Sequence, residues 1–179
     1  KELVDEKFFM TSYERFVDDV APGKTILIDD GDIALSVIEK KNDTLVCRAL
    51  NEGKIKGKKS INVPGVSISL PALSDKDRDY INFAIDNGID FIAHSFVRAK
   101  EDLLEIQSIL DQKKSKIKLI AKIENQQGVD NLNEILDHCY GVMVARGDLA
   151  IEIPADRIPS IQKMIIATCI ERRKVVITA

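Results

Sequence analysis

The chain has 179 residues, with 26 basic and 29 acidic side chains and a formal net charge of −3. This near balance supplies no strong positive field, so neither nucleic acid nor an anionic membrane surface is expected as a partner. The longest apolar runs, such as Val142–Ala145, fall far short of the roughly 20 residues that span a bilayer. The first residues show no secretory signal pattern, and we expect a cytoplasmic protein.

Short β-rich runs separated by turn residues occupy the first part of the chain. The runs cover residues 24–28, 33–38 and 44–50, and each ends at Asp, Asn or Gly residues typical of tight turns. This spacing predicts an antiparallel meander or a small β-barrel over residues 1–70.

After Leu70-Pro71 the pattern changes to helices alternating with short apolar strands. Ser74 is a predicted helix cap, and the apolar stripe behind it ends near Asn87-Gly88. Later segments repeat this alternation: strands are predicted over 89–96, 118–123, 141–145 and 175–177, and helices over 101–112, 129–138 and 158–173. Residues 71–179 are therefore expected to contain four parallel strands.

Such alternation is typical of two architectures, an open doubly wound sheet and part of a (β/α)8 barrel. Periodicity alone does not choose between them. No strand is followed by the Gly-x-Gly-x-x-Gly turn of dinucleotide-binding sheets, and no Gly-x-x-x-x-Gly-Lys-Ser/Thr loop is present. These absences favour the barrel.

Polar residues follow three of the predicted strands, where parallel α/β proteins place their reactive groups. They are Ser95, the pair Lys122 and Glu124, and Gly147 with Asp148. Lys122 and Glu124 are two residues apart on one strand, so their side chains share a face of the sheet. Two interpretations stay open. Glu124 and Asp148 could hold Mg²⁺ while Lys122 faces a substrate anion, or Lys122 and Glu124 could form an exposed ion pair with Asp148 capping a turn.

The remaining nucleophiles and histidines are assigned structural roles. Ser95 has no base nearby in sequence, which favours a hydrogen-bonding or structural role. His94 is expected to point towards the helices as a packed residue. The three cysteines, Cys47, Cys139 and Cys169, lack the spacing of metal or redox motifs and are expected to be reduced and mostly buried. Cys139 adjoins His138, but sequence neighbours on a helix do not face each other, so a nucleophilic pair is not expected.

Two segments carry sequence motifs that few protein families share. They are residues 121–125, Ala-Lys-Ile-Glu-Asn, and residues 142–149, Val-Met-Val-Ala-Arg-Gly-Asp-Leu. Together they resemble the central signatures of pyruvate kinases. The resemblance extends in the family's order over nearly the whole chain, through residues 28–31, 57–65, 70–77 and 93–98.

The resemblance implies a fold and a reaction. Residues 1–70 would be part of an inserted all-β lid domain, and residues 71–179 would be strands four to seven of a (β/α)8 barrel. The reaction would transfer a phosphoryl group between phosphoenolpyruvate and ADP, giving pyruvate and ATP. Mg²⁺ or Mn²⁺ would be required, K⁺ would bind outside this chain, and the enzyme would be a homotetramer.

The resemblance also implies residue roles. Lys122 would stabilise charge on the transferring phosphoryl group and the enolate. Glu124 and Asp148 would bind the divalent metal, and the backbone amides of Gly147 and Asp148 would bind the substrate carboxylate. Roles implied for further residues are substrate binding for Ser95, nucleotide phosphate binding for Lys59, and lid closure or a turn for Asp29 and Asp30.

Departures from the family pattern limit what is expected of the isolated chain. Ala150 stands where many members have glycine, and the threonine expected after Ala179 is absent, as are the earlier barrel strands. A barrel cut between strands exposes sheet edges and half of its interior. We therefore expect these residues to be a piece of a longer enzyme and inactive alone. A metal-dependent lyase or aldolase acting through a pyruvate enolate, and a non-catalytic binding module, remain as alternatives.

Overall fold

The computed structural model describes residues 8–66, 68 and 70–179. Residues 1–7, which the sequence pattern assigned to the β-rich segment, lie outside the described residues. The chain divides between Leu70 and Pro71 into two compact units, the first mainly β and the second α/β. The expected α/β class is confirmed. Within the described ranges, no helix is long and apolar enough to cross a membrane.

Four antiparallel strands form the sheet of the first unit, in the order β3-β2-β1-β4. They are β1 (Thr25–Ile28), β2 (Ile33–Lys41), β3 (Thr44–Ala49) and β4 (Ile61–Asn62), preceded by helix α1 (Phe16–Asp19). Side chains along β1 and the first half of β2 are buried at every second position, as a half-buried strand requires, whereas the end of β2 is exposed. The buried set is Ile26, Ile28, Ile33, Leu35 and Val37.

The hairpin between β1 and β2 turns through residues with positive φ: 55° at Asp29, 56° at Asp30 and 96° at Gly31. Asp and Gly tolerate this left-handed region better than other residues, which explains the turn predicted here. Strand β2 continues beyond the expected end at Ile38, because it pairs with β3 as far as Lys41 opposite Thr44. The short strand β4 was not predicted.

The second unit contains a four-stranded parallel sheet in the order β5-β6-β7-β8. Its strands are β5 (Phe91–His94), β6 (Lys118–Ile123), β7 (Gly141–Val144) and β8 (Val175–Thr178). Its helices are α2 (Asp75–Asp86), α3 (Lys100–Gln112), α4 (Gln126–Asp130), α5 (Leu132–Asp137), α6 (Arg146–Glu152) and α7 (Ile158–Glu171), with a 3-10 turn over Ala155–Arg157. The four predicted parallel strands are therefore all present.

One face of this sheet packs against the helices. Alternate residues of β6 and β7, among them Ala121, Ile123 and Val142, are fully buried in that core. Residues of the opposite parity lie on the other face, where Phe91 is 49% and Ile177 38% exposed. Apolar side chains therefore occupy both faces, as in parallel sheets that are covered on both sides.

The prediction of one continuous helix over residues 129–138 was wrong. Two short helices, α4 and α5, occupy this region and meet at Asn131, whose φ and ψ of −93° and 11° are not helical. The Asn131 side chain donates a hydrogen bond to the carbonyl of Arg98 at 2.9 Å, which holds it in this conformation. Helical spacing of apolar residues continues across the junction, so periodicity did not reveal the break.

Candidate active site

Lys122 lies next to the last residue of β6, and Glu124 follows the strand directly. The Lys122 Nζ atom is 2.5 Å from Glu124 Oε1 and donates a hydrogen bond of 3.0 Å to Ser95 Oγ, just after β5. The Lys122 side chain is 24% exposed, whereas that of Glu124 is 1% exposed. Three of the residues selected from the sequence therefore meet at the carboxyl edge of the sheet, where the amine is more open to solvent than the carboxylate it pairs with.

The second oxygen of Glu124 is also engaged. The backbone N–H of Phe96 donates to Glu124 Oε2 at 2.6 Å. Phe96 has a φ of 54°, a left-handed conformation that costs a residue with a side chain roughly 1 kcal/mol or more. Ion pairing on one oxygen and an amide on the other satisfy the buried carboxylate, which would otherwise be strongly unfavourable.

Asp148 reaches the same edge from the neighbouring strand. Strand β7 pairs with β6, with Val144 opposite Ile123, and α6 begins two residues after Val144. Asp148 lies in the first turn of α6 and is half-buried, and its carboxylate has no hydrogen bond or ion pair with any described residue. Gly147 and Asp148 are the second and third residues of the helix, so their N–H groups have no partner within it.

The donor set at this edge suits a hard dication. Carboxylate oxygens are what Mg²⁺ prefers, and it commonly takes only one or two carboxylates from the protein, with water and substrate oxygens completing six-fold coordination. Across the described part of the chain, no cluster of three or more His, Cys, Asp or Glu side chains could hold a metal alone. Glu124 and Asp148 therefore fit a magnesium or manganese ion that is shared with a ligand, and do not form a closed structural site.

The other charged candidate, Lys59, belongs to the first unit. Its Nζ atom lies 2.8 Å from both carboxylate oxygens of Asp29, and this hydrogen bond raises the pKa of the Lys59 amine. Ser60 Oγ donates to Asp30 Oδ1 at 2.8 Å. Asp29 and Asp30 therefore join the β1–β2 turn to the residues just before β4. This contact gives them a structural role, and Lys59 remains partly exposed.

The groups assigned to structural roles have matching environments. Burial lowers the pKa of the His94 imidazole. The carboxylates of Asp102 and Asp77, on the neighbouring helices, act in the opposite direction but do not outweigh the effect of burial. Burial raises the pKa of the Cys139 thiol to about 11, so this group stays protonated near neutral pH and is a poor nucleophile.

Sequence reasoning missed two polar side chains that accept hydrogen bonds from the segment directly after Glu124. Asn125 is 5% exposed, and its Oδ1 atom accepts a hydrogen bond of 2.7 Å from the Gly128 N–H, which caps α4. Glu152 accepts from the Gln126 N–H at 3.3 Å, and burial raises the pKa of its carboxyl group. An Asn three residues before a Gly, directly after a buried strand, was the signal that could have revealed Asn125.

The fold and this charged edge define the class: a parallel α/β protein whose candidate site lies at the carboxyl ends of its strands. The family model described as pyruvate kinase, barrel domain, matches residues 1–179. The chain belongs to the pyruvate kinase family, a family of phosphotransferases.

Similar proteins are found among bacteria and a protozoan. A pyruvate kinase of Staphylococcus saprophyticus is 51% identical over 177 residues, covering 97% of this chain and 30% of the relative. One from Borreliella burgdorferi is 47% identical over 172 residues, covering 96% of this chain and 36% of the relative. The crystal structure of a pyruvate kinase from Cryptosporidium parvum superposes with a TM-score of 0.88 at 40% identity, covering 93% of this chain and 35% of that one. The chain thus spans about a third of the length of these proteins.

Proposed function

We propose that these residues serve a pyruvate kinase that transfers a phosphoryl group between phosphoenolpyruvate and ADP, giving pyruvate and ATP. The observation that carries the proposal is the contact of Lys122 with buried Glu124 beside the first turn of α6, within a chain of this family. Because the relatives are much longer than this chain, the activity is assigned to the full-length protein.

Lys122 is the proposed catalytic residue. Its ammonium group is the more exposed part of an otherwise buried ion pair, so it is the part of the pair that a substrate anion can reach. Fixed positive charge stabilises the phosphoryl group in transfer and the enolate oxygen that develops as the bond to phosphorus breaks. The Ser95 hydroxyl, which accepts from the same amine, orients the ammonium group and borders the substrate.

Glu124 and Asp148 would hold Mg²⁺ or Mn²⁺, which when bound would supply positive charge that offsets the charge of the phosphoryl group. The N–H groups of Gly147 and Asp148 at the start of α6 suit the substrate carboxylate. Lys59 would exchange its contact with Asp29 for the nucleotide phosphates, since its side chain remains partly exposed.

We further propose that residues 71–179 are strands four to seven of a (β/α)8 barrel and that residues 1–70 belong to its inserted β lid. The sequential strand order β5-β6-β7-β8 supports this, because an open doubly wound sheet reverses its order at a switch point. The apolar second face, with Phe91 and Ile177, suits a barrel interior. From family membership we also propose K⁺ dependence, a homotetramer and a cytoplasmic location.

The experiment is Lys122→Met in the full-length protein, with turnover and Mn²⁺ affinity measured separately. We expect turnover to fall at least about 100-fold, as when one group that stabilises developing charge is removed, with Mn²⁺ affinity largely kept. Lys118→Met is the matched control, since Lys118 lies on the same strand at its other end. Unchanged turnover in Lys122→Met would remove this residue from the mechanism.

A further inference from the structure

The turn that follows β5 is held by side chains from neighbouring elements. Besides the Phe96 N–H on Glu124, the carbonyl of Val97 accepts from Asn125 Nδ2 at 3.3 Å. The Asp102 carboxylate accepts from the N–H groups of Arg98 at 2.8 Å and Ala99 at 3.3 Å. The backbone groups of this turn therefore depend on side chains that follow β6 or lie at the start of α3.

Asn125 occupies the centre of this arrangement. It directly follows Glu124 in sequence, and its two amide atoms have different partners: Oδ1 accepts from Gly128 and Nδ2 donates to Val97. The start of α4 also approaches Val97 closely, because a Cβ atom placed on Gly128 would lie 2.5 Å from the Val97 carbonyl oxygen. One buried side chain thus ties the end of β6 and the first turn of α4 to the turn after β5.

The left-handed backbone conformation of Phe96 requires support from neighbouring residues. A left-handed residue other than glycine persists only where the surrounding structure determines it, and such strain concentrates at functional sites. Val97 follows Phe96 directly and is completely buried. Holding the Val97 carbonyl therefore constrains the backbone that presents the Phe96 N–H to Glu124.

We propose that Asn125 is a positioning residue for Glu124: by holding the Val97 carbonyl, it keeps the Phe96 N–H on one carboxylate oxygen and directs the other towards the cation. This inference rests on the proposed function, in which Glu124 is a metal ligand. Glu124 then offers the cation a single oxygen, Oε1, in place of its present contact with Lys122, since Oε2 remains on the Phe96 amide. Outer partners that orient a metal ligand change metal affinity by about 10- to 100-fold when removed.

The test uses Asn125→Ser in the full-length protein. Serine caps a helix about as well as asparagine, so the contact with Gly128 is kept and only the donor to Val97 is lost. We expect Mn²⁺ affinity to fall about 10-fold, and the Phe96 amide signal of 15N-phenylalanine-labelled protein to shift. Asn125→Thr, whose short hydroxyl also caps a helix but does not reach as far as the asparagine amide, should give both effects and replaces the serine variant if that one does not fold.

Ile165→Val is the matched control, because Ile165 is fully buried in α7 and does not belong to this turn. It should lower stability but leave Mn²⁺ affinity and the Phe96 signal unchanged. Wild-type Mn²⁺ affinity in both Asn125 variants, with Glu124→Gln weakened, would overturn this inference alone. Wild-type affinity in Glu124→Gln would instead remove the proposed metal ligand and with it the proposed function.

Discussion

Glu124 carries an ionisable carboxyl group where only 1% of the residue surface is exposed. Burying a charge is unfavourable unless it is paired and hydrogen-bonded, and here Lys122 and the Phe96 amide provide both. Removing one partner of such a buried pair commonly costs about 3–5 kcal/mol, because the other charge is left uncompensated. A buried carboxylate and its lysine partner are therefore expected at a site that binds a cation or an anionic substrate.

Gly128 lies in helix α4 where there is no room for a side chain. Alanine normally stabilises a helix relative to glycine by up to about 1 kcal/mol, but its Cβ atom would lie 2.5 Å from the Val97 carbonyl oxygen. We expect Gly128→Ala to destabilise the protein by about 1–3 kcal/mol, the range for overpacked sites, as measured by urea unfolding.

The control for this variant is Gly147→Ala. Gly147 is also helical, but a Cβ atom added there would meet no described atom within 4 Å, so this change should be neutral or slightly stabilising. A Gly128→Ala protein as stable as the control would show that α4 does not approach Val97 as described.

The individual elements differ in how well sequence predicts them. Strand β6 was predicted with correct bounds, because a mainly apolar run between a Lys-Ser-Lys segment and the polar residues Glu124 and Asn125 has clear limits. The proximity of Lys122 and Glu124 followed from the two-residue period of a strand. The break at Asn131 and the Phe96 amide on Glu124 could not be predicted, since both depend on contacts between segments far apart in sequence.

The start of α2 could be predicted from local sequence alone, because Ser74 is a typical helix-capping residue. Ser74 caps the helix by accepting from the Asp77 N–H at 3.2 Å, while its own hydroxyl and N–H donate to the Asp77 carboxylate. These hydrogen bonds from Ser74 lower the pKa of Asp77. Asp77 therefore stabilises the folded state above its unfolded pKa, and this contribution is lost as the pH falls through its lower folded value.

Replacing the cap should have a pH-dependent effect. We expect Ser74→Ala to cost about 1 kcal/mol near neutral pH and less as the pH falls through the lowered pKa of Asp77, where its carboxyl group becomes protonated. Urea unfolding across this range measures both values. Ser108→Ala, a change within α3, is the control and should be nearly neutral; an equal loss at every pH in Ser74→Ala would contradict the role of Asp77.

Across the whole chain, the sequence pattern located the change from a β-rich to an α/β region. It did not decide whether the parallel strands form an open sheet or part of a closed barrel. Helical and strand periods report which face of each element is buried, not how many strands complete the sheet. The sequential order of β5 to β8 and the apolar second face now favour the proposed barrel. That choice required the spatial order of the strands, which periodicity does not contain.

The cysteines offer a reporter for each unit. Cys47, in the first unit, is half-buried, whereas Cys139 and Cys169, in the second, are buried, and burial raises the pKa of all three thiols. Because the thiolate is the reactive form, labelling near pH 8 should modify Cys47 first and the other two only on unfolding. The fast phase should disappear in Cys47→Ser, and its persistence there would contradict the burial of the second unit.

In the proposed metal site, Glu124 and Asp148 bind one dication at the carboxyl edge of the sheet, next to Lys122. Anomalous diffraction from crystals of the full-length protein grown with Mn²⁺ and oxalate would test it most directly. We predict a single manganese peak bonded to one oxygen of each carboxylate at roughly the 2.1 Å typical of hard-cation sites, with the Lys122 ammonium group facing the oxalate. A peak bonded to neither carboxylate, or to only one of them, would rule out a metal site shared by Glu124 and Asp148.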